Sequence, residues 1–364
     1  MQFQDVLTVS LMLAVRVADT FPMAEWPVMD AFLSDNYRPQ YVMRDRQLFA
    51  WQFGCREHPE TAHVVCTYSA DRLVGILGYR PTDVFWGDTN SRLTGAWMAN
   101  WMVTPEHRHG AGALMMRRLM EKYDILLGQG AGKMNVPIAK ILKFSIFDRI
   151  PRFIAVFDAD KTRDYLVSAA DMPSCAAPSG PEAHVSDGLP EGYAPDWSAY
   201  PGLAYGTVRD AAYLHWRYVN HPIFRYEIKC AGSPIHPAIC VYRIEETRGD
   251  VRHRVGRLTE FFFPQDAEGA RNGLAVLSAT LTHLQSAGCV FADHYSSAAF
   301  SHSVITATGM VAATDLPLAT RLSPFERTHH HQNLEVWCRM ANGAPTQLGD
   351  VYVTKADGDQ DRPN

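Results

Sequence analysis

One block of this sequence occurs twice, and that repeat limits the architecture more than any other feature. Arg44-Asp45, Leu48-Phe49, Trp51 and Phe53, then His58-Pro59, return as Arg209-Asp210, Tyr213-Leu214, Trp216 and Tyr218, then His221-Pro222. The offset is about 165 residues, a domain length and far above a solenoid period. Later landmarks keep nearly the same spacing. Leu73–Tyr79 answers Ala238–Tyr242, and the strand ending at Val103 and Pro105 answers Leu258–Phe263 with Pro264. The helix Gly112–Tyr123 answers Arg271–Gln285, and Gly130 answers Gly288. An ordered series of this kind indicates two copies of one fold in tandem. A chain of 364 residues, longer than a usual single domain, agrees with that.

Within the first copy, Trp26, Met29, Phe32 and Leu33 mark one face of a helix. A β-rich meander follows: His63–Ala70, then a turn at Asp71-Arg72, a second run to Gly87, and a third over Leu93–Val103. The stretch Trp97–Tyr123 then reads as strand, basic glycine-bearing loop and amphipathic helix. Gly110 and Gly112 lack the Cβ that would block a sharp turn or a closely approaching ligand. The first amides of the helix have no partner within it and can hold an anion, with Arg108 and His109 adding donors. That combination fits a pyrophosphate cradle, and equally a plain strand-to-helix turn. Further on, Phe153–Phe157 is expected to close the sheet of the first copy.

Val103, Pro105, Arg108, Gly110 and Gly112 resemble motif A of the GNAT acyltransferase superfamily, V-x-P-x-x-R-G-x-G-x-G/A. The spacing here is Arg-x-Gly-x-Gly, with His109 where a glycine is common. Asn135, Ala139 and Phe144 match that family's second conserved helix loosely, without its tyrosine and glycine. The resemblance implies an α/β (α+β) chain of two tandem GNAT-like domains, each a mixed, mostly antiparallel sheet flanked by helices. It implies an N-acyltransferase that takes acetyl-CoA or another acyl-CoA as co-substrate and uses no metal. Arg108, His109, Gly110, Ala111, Gly112 and Ala113 would take the pyrophosphate. The backbone of Trp101, Met102 and Val103 would hold the pantetheine arm and acyl carbonyl.

The same chemistry needs a proton acceptor. The family often uses a glutamate on its fourth strand, where the first copy has Asn100. The second copy has Glu260, the one acid in an apolar run, which burial would shift toward a useful pKa. Asp293, His294 and Tyr295 end a later strand, and a tyrosine there can protonate the leaving thiolate. Glu260, His294 and Tyr295 are thus the candidate catalytic residues. The two copies read as complementary, the first keeping the phosphate loop and the second the polar side chains. Either the first binds the acyl-CoA while the second shapes the acceptor site, or the second is itself active with an unusual cofactor loop.

Residues 1–165 are assigned to the first domain, 166–205 to a linker rich in Pro, Ser, Ala and Gly, 206–340 to the second domain, and 341–364 to a polar tail. Asp357, Asp359 and Asp361 imitate the start of an EF-hand loop, but Arg362 replaces its glycine, and a disordered acidic end is expected. His329, His330 and His331 are consecutive and read as a solvated loop. Tyr213, Trp216 and Tyr218 read as one helix face in a core.

A net charge of −5 argues against a nucleic-acid partner. Seven scattered cysteines without a C-x-x-C pair fit a reducing compartment. The apolar run near the N-terminus has Asp5 ahead of it and no basic flank, and no stretch reaches membrane-span length, so a cytoplasmic protein is expected. The acceptor is expected to be a small-molecule amine, with a homodimer compatible. The blocks Phe49–Phe53 and Tyr213–Pro222, with the final Asp357–Asn364, resemble those of tandem acyltransferase-like proteins of bacterial surface-polysaccharide pathways, which implies an amino sugar, nucleotide-linked. The alternatives are an aminoacyl or longer-acyl transferase of cell-envelope synthesis and a non-catalytic GNAT-like binding protein.

Overall fold

The repeated blocks begin with the same capping interaction. Asp45 accepts from the backbone amides of Gln47 and Leu48, at 2.8 and 3.0 Å, and starts the helix Arg46–Phe53. Asp210 accepts from Tyr213 N at 2.7 Å and starts the helix Ala211–Leu214. Such a cap contributes about 1 kcal/mol. In the second copy the helix widens after Leu214 into a π-helical turn, His215–Val219. That turn buries Arg217 and Tyr218 and leaves Trp216 half-buried.

This computed structural model describes residues 15–37, 41–87, 91–130, 132, 135–173, 180–181, 183–200, 204–322, 325–340 and 343–361. Most of the apolar N-terminal run, through residue 14, and Arg362 lie outside them. The chain forms two units. Unit 1 comprises Met1–Thr82, Thr94–Phe144 and Glu335–Ala344, and unit 2 comprises Asp83–Leu93, Ser145–Leu334 and Pro345–Asn364.

Unit 1 holds β1 (Val15–Ala18), α1 (Trp26–Asn36), α2 (Arg46–Phe53), β2 (Val64–Ser69), β3 (Arg72–Trp86, its end in unit 2), β4 (Arg92–Val103), α3 (Ala111–Lys122), β5 (Ile125–Gln129) and α4 (Val136–Ile141). Strands β1 to β4 are sheet neighbours in that order, with β1–β2 and β2–β3 antiparallel, and β5 joins β4 in parallel. Leu33, Leu48, Phe49 and Phe53 from the helices are buried in one cluster with Cys66 and Ile76 of the sheet. Each such side chain removed from water is worth about 1.5–3 kcal/mol.

Unit 2 holds β6 (Arg152–Val156), β7 (Ser186–Asp187), α5 (Ala211–Leu214), β8 (Glu227–Gly232), β9 (Pro237–Glu246), β10 (Arg254–Phe262), α6 (Ala267–Ser286), β11 (Cys289–Tyr295), α7 (Ala299–Ala307) and β12 (Val311–Ala312). Its sheet runs β7-β8-β9-β10-β11-β6-β12, with β10–β11 parallel. Val276, Leu277, Leu281 and Leu284 of α6 are buried with Leu258, Phe261 and Ala292. Each unit is therefore a mixed, mostly antiparallel sheet with flanking helices.

The closing strands differ from the expectation. β6, read as the last strand of the first copy, pairs antiparallel with β11 in unit 2, from Phe291↔Val156 to Tyr295↔Arg152. The strand beside β5 in unit 1 is instead β13 (Leu334–Cys338), from the end of the second copy. The repeats have exchanged their closing strands. A five-residue apolar strand can cover either of two equivalent sheet edges, so local pattern does not decide between them.

The stretches read as linker and as tail also join unit 2. In the described part of Met172–Gly202, Tyr193, Trp197 and Tyr200 are buried in one cluster with Phe262, because aromatic side chains of that size find their partners in a core. Residues 174–179, 182 and 201–203 lie outside the described part. At the C-terminus, Lys355, Asp357, Asp359 and Asp361 are buried rather than disordered, and buried arginines are the reason.

Candidate functional site

In unit 1, the β4–β5 ladder pairs Gly95–Met98 with Ile125–Gly128 and stops. β4 then continues through Trp101, Met102 and Val103. Its backbone edge on that side has no ladder partner among the described residues. At the parting point Asn100 takes φ +53°, a left-handed conformation that asparagine tolerates better than most residues. Its side-chain oxygen accepts from the Tyr41 hydroxyl at 2.5 Å. A strand that stops pairing in this way exposes donors and acceptors to whatever enters the gap.

From Val103 the chain makes a short 3-10 turn, Pro105–His107, and reaches Gly110 with φ +125°, a conformation open to glycine. Gly110 is the N-cap of α3 and supplies no side chain to it. The first amides of α3, at Ala111, Gly112 and Ala113, thus point out of the helix end with its positive dipole behind them. Arg108 and His109 are exposed beside them. A Cβ on Gly112 would stand 3.2 Å from the Trp101 indole nitrogen, so glycine lets the strand and helix approach there. The residues expected to take a pyrophosphate are brought together around one uncapped helix start.

Sequence reasoning missed Glu335. It lies on β13, 3% exposed, and Oε2 is 3.3 Å from the place a Cβ on Gly128 would occupy. Oε1 has no hydrogen-bond partner among the described residues. Burial alone pushes its carboxyl up to about 7. The signal in the sequence was an acid inside the apolar run LEVWC, but nothing local tied that run to Gly128.

Unit 2 repeats the parting of strands. The β10–β11 ladder ends at Leu258↔His294. The β9–β10 register then slips, leaving Thr259 as the extra residue of a bulge. Thr259 stands as far before Pro264 as Asn100 stands before Pro105. Beyond this point the units differ. Asp266 caps α6, its carboxylate accepting from Gly269 N at 2.6 Å. The anion seat that is open on α3 is filled on α6 by the chain's own carboxylate.

The gap between the strands of unit 2 is filled as well. Thr354 bridges to Ser296 just past β11, and Tyr352 donates to Phe261 O on β10 at 2.9 Å. Glu260 is fully buried and accepts from Arg209 Nε at 2.8 Å, from the Tyr218 hydroxyl at 3.1 Å, and from the Tyr352 hydroxyl. Asp357 takes Arg209 Nη2 at 2.6 Å. Asp361 takes Arg243 at 2.9 Å and the Tyr226 hydroxyl at 2.6 Å. Burial lowers His294 to about 4, so the ring is neutral, with Nδ1 donating to Leu258 O at 3.1 Å. Tyr295 stacks beside the guanidinium of Arg152, 5.3 Å from its ring centre. No hydrogen bond among those described joins any two of Glu260, His294 and Tyr295. A separate cavity of about 1110 Å3 in unit 2 is lined by Tyr193, Tyr218, His221, Phe224 and Tyr226.

Solved structures share this architecture along most of the chain. A GCN5-related N-acetyltransferase from Anabaena variabilis superposes with a TM-score of 0.54 at 12% identity, over 88% of this chain and 72% of that one. One from Kribbella flavida gives 0.50 at 13%, over 89% and 71%. The Saccharomyces cerevisiae N-myristoyltransferase with bound myristoyl-CoA gives 0.50 at 9%, over 91% and 80%. The chain has the GNAT fold. No family model and no curated protein matches it.

On the GNAT fold, then, the two sheets are unequal. One keeps an uncapped helix start beside a strand edge without a ladder partner among the described residues, and the other has both features blocked by its own residues. Elsewhere, His329 donates through Nδ1 to Leu318 O, 2.9 Å away, while His330 and His331 are exposed. No group of three or more acidic, histidine or cysteine side chains among the described residues is placed to hold a metal. No helix among them is long and apolar enough to cross a membrane.

Proposed function

We propose that the protein is an acyl-CoA-dependent N-acyltransferase whose donor binds unit 1, with acetyl-CoA the first donor to test. The observation that carries this reading is the contrast at the two helix starts: α3 has no side-chain cap behind Gly110, whereas α6 carries the Asp266 carboxylate. The amides of Ala111, Gly112 and Ala113, with Arg108 and His109, take the pyrophosphate. The edge of Trp101, Met102 and Val103, which has no ladder partner among the described residues and whose Val103 carbonyl accepts from Arg108 Nε at 3.4 Å, aligns the pantetheine arm and the acyl carbonyl. The donor supplies an activated thioester, and holding an amine against it accounts for much of the rate. No nucleophilic side chain is required. Among amines, amino sugars and their nucleotide-linked forms come first, on the sequence resemblance of Phe49–Phe53, Tyr213–Pro222 and Asp357–Asn364 alone.

Calorimetric titration with acetyl-CoA and free CoA tests the reading. Binding in the range of about 1–100 μM is expected, and Gly110→Trp should abolish it by filling the loop. An absence of binding to the wild type would overturn it.

A further inference from the structure

We propose that Glu335 is the proton acceptor for the incoming amine in unit 1, delivered there by the strand exchanged from the other end of the chain. This rests on the reading that unit 1 binds the acyl donor. The first copy has no acid on β4, where Asn100 is held by Tyr41. The exchanged strand β13 places a carboxyl at that end of the sheet. Glu335 lies over Gly128, the last residue of β5 paired with β4, where the two strands part. Glycine at 128 leaves the space that the carboxyl occupies, and Met98 packs from the other side, its terminal methyl also 3.3 Å from that place.

A proton acceptor must have a lone pair to offer. Both oxygens of Glu260 already accept from buried donors, the Arg209 guanidinium among them. Glu335 has Oε1 without a hydrogen-bond partner among the described residues. At the place over Gly128 that the carboxyl occupies, the other side chain close by is the uncharged Met98. Arg339, the next cation along its own segment, is paired with Asp124 at 3.3 Å. With no cation among the described residues to hold it ionised, the carboxyl sits at about 7, where a base is effective near neutral pH. In the step itself, the amine nitrogen bonds to the acyl carbon and the carbon–sulfur bond breaks. The electron pair leaves with sulfur as thiolate, and the proton on nitrogen passes to Glu335, which returns it to the thiolate or to solvent.

The test compares wild type with Glu335→Gln and Glu335→Asp in three measurements. Acetyl-CoA affinity by calorimetry is expected to change less than about twofold. Thiol release from acetyl-CoA with glucosamine as probe amine is expected to fall about 100-fold in Glu335→Gln. The wild-type rise in rate through about pH 7 should vanish with it, and Glu335→Asp should restore part of the rate. Carbon NMR of glutamate-labelled protein should show one carboxyl titrating between about pH 6 and 8, absent from Glu335→Gln. A wild type that fails to bind acetyl-CoA overturns the donor reading and this proposal with it. Intact acetyl-CoA binding with the pH limb retained in Glu335→Gln, or with no carboxyl titrating in that range in the wild type, overturns Glu335 alone.

Discussion

Arg209 and Asp357 lie 148 residues apart in the chain and meet at 2.6 Å, with no more than 1% of either side chain exposed. The pair ties the C-terminal segment to the interior of unit 2. Asp357→Ala leaves Arg209 with Glu260 as its remaining carboxylate. Breaking a buried pair by removing one partner costs about 3–5 kcal/mol. Urea unfolding should show a fall of that order, at its lower end. A loss below about 1 kcal/mol would show the segment to be peripheral to stability.

The contrast between α3 and α6 can be exchanged by mutation. Gly110→Asp puts a carboxylate where the donor's pyrophosphate is proposed to sit, and acetyl-CoA affinity should fall by at least about tenfold, since one misplaced charge is worth more than 1.4 kcal/mol there. The strained φ adds a stability cost of about 1–3 kcal/mol. The mirror change, Asp266→Ala, removes a cap worth about 1 kcal/mol and should leave acetyl-CoA affinity unaltered. Calorimetry and thermal unfolding read both effects.

Acid should unfold the protein through Asp293. Burial alone would raise this carboxyl, but Arg257 and Arg152 outweigh burial and hold it at about 2. A depressed carboxyl contributes stability above its unfolded value near 3.9, and that contribution is lost as pH falls toward 2. In Asp293→Asn the stability difference between pH 5 and pH 2.5 should shrink by about 2 kcal/mol, measured by denaturant unfolding at each pH.

Glu335 gives a slope of the opposite sign. Its folded value, about 7, lies above the unfolded value near 4.3. Its contribution is therefore fully present below about pH 4 and is lost as pH rises through 7. Relative to Glu335→Gln, the wild type should lose on the order of 3 kcal/mol between pH 4.5 and 8. A flat difference across that range would mean the carboxyl is solvated in solution.

Several elements were legible because their causes are local. Met29, Phe32 and Leu33 at helical spacing gave α1, Asp45 and Asp210 marked the start of each repeated block, and the glycine loop gave the β4–α3 junction. What escaped had distant causes. Asp357 and Asp361 look like solvated acids until Arg209, Arg243 and Arg217 are brought beside them. Tyr193, Trp197 and Tyr200 were visible signals, outweighed in reading by the Pro and Gly around them. Glu335 could not be placed at all without the exchange of strands, since its neighbour Gly128 belongs to the other copy of the repeat.

That exchange has a consequence during synthesis. The ribosome releases β1 to β5 long before β13, so the sheet of unit 1 waits with β5 as its outermost strand while the second copy is being made. All five residues of β5 are buried in the finished molecule, so the nascent chain carries an unprotected apolar edge of the kind that recruits other strands. Chaperone dependence should concentrate in that interval. A premature stop between Gln129 and Leu334 leaves β1 to β5 translated without the strand that covers β5.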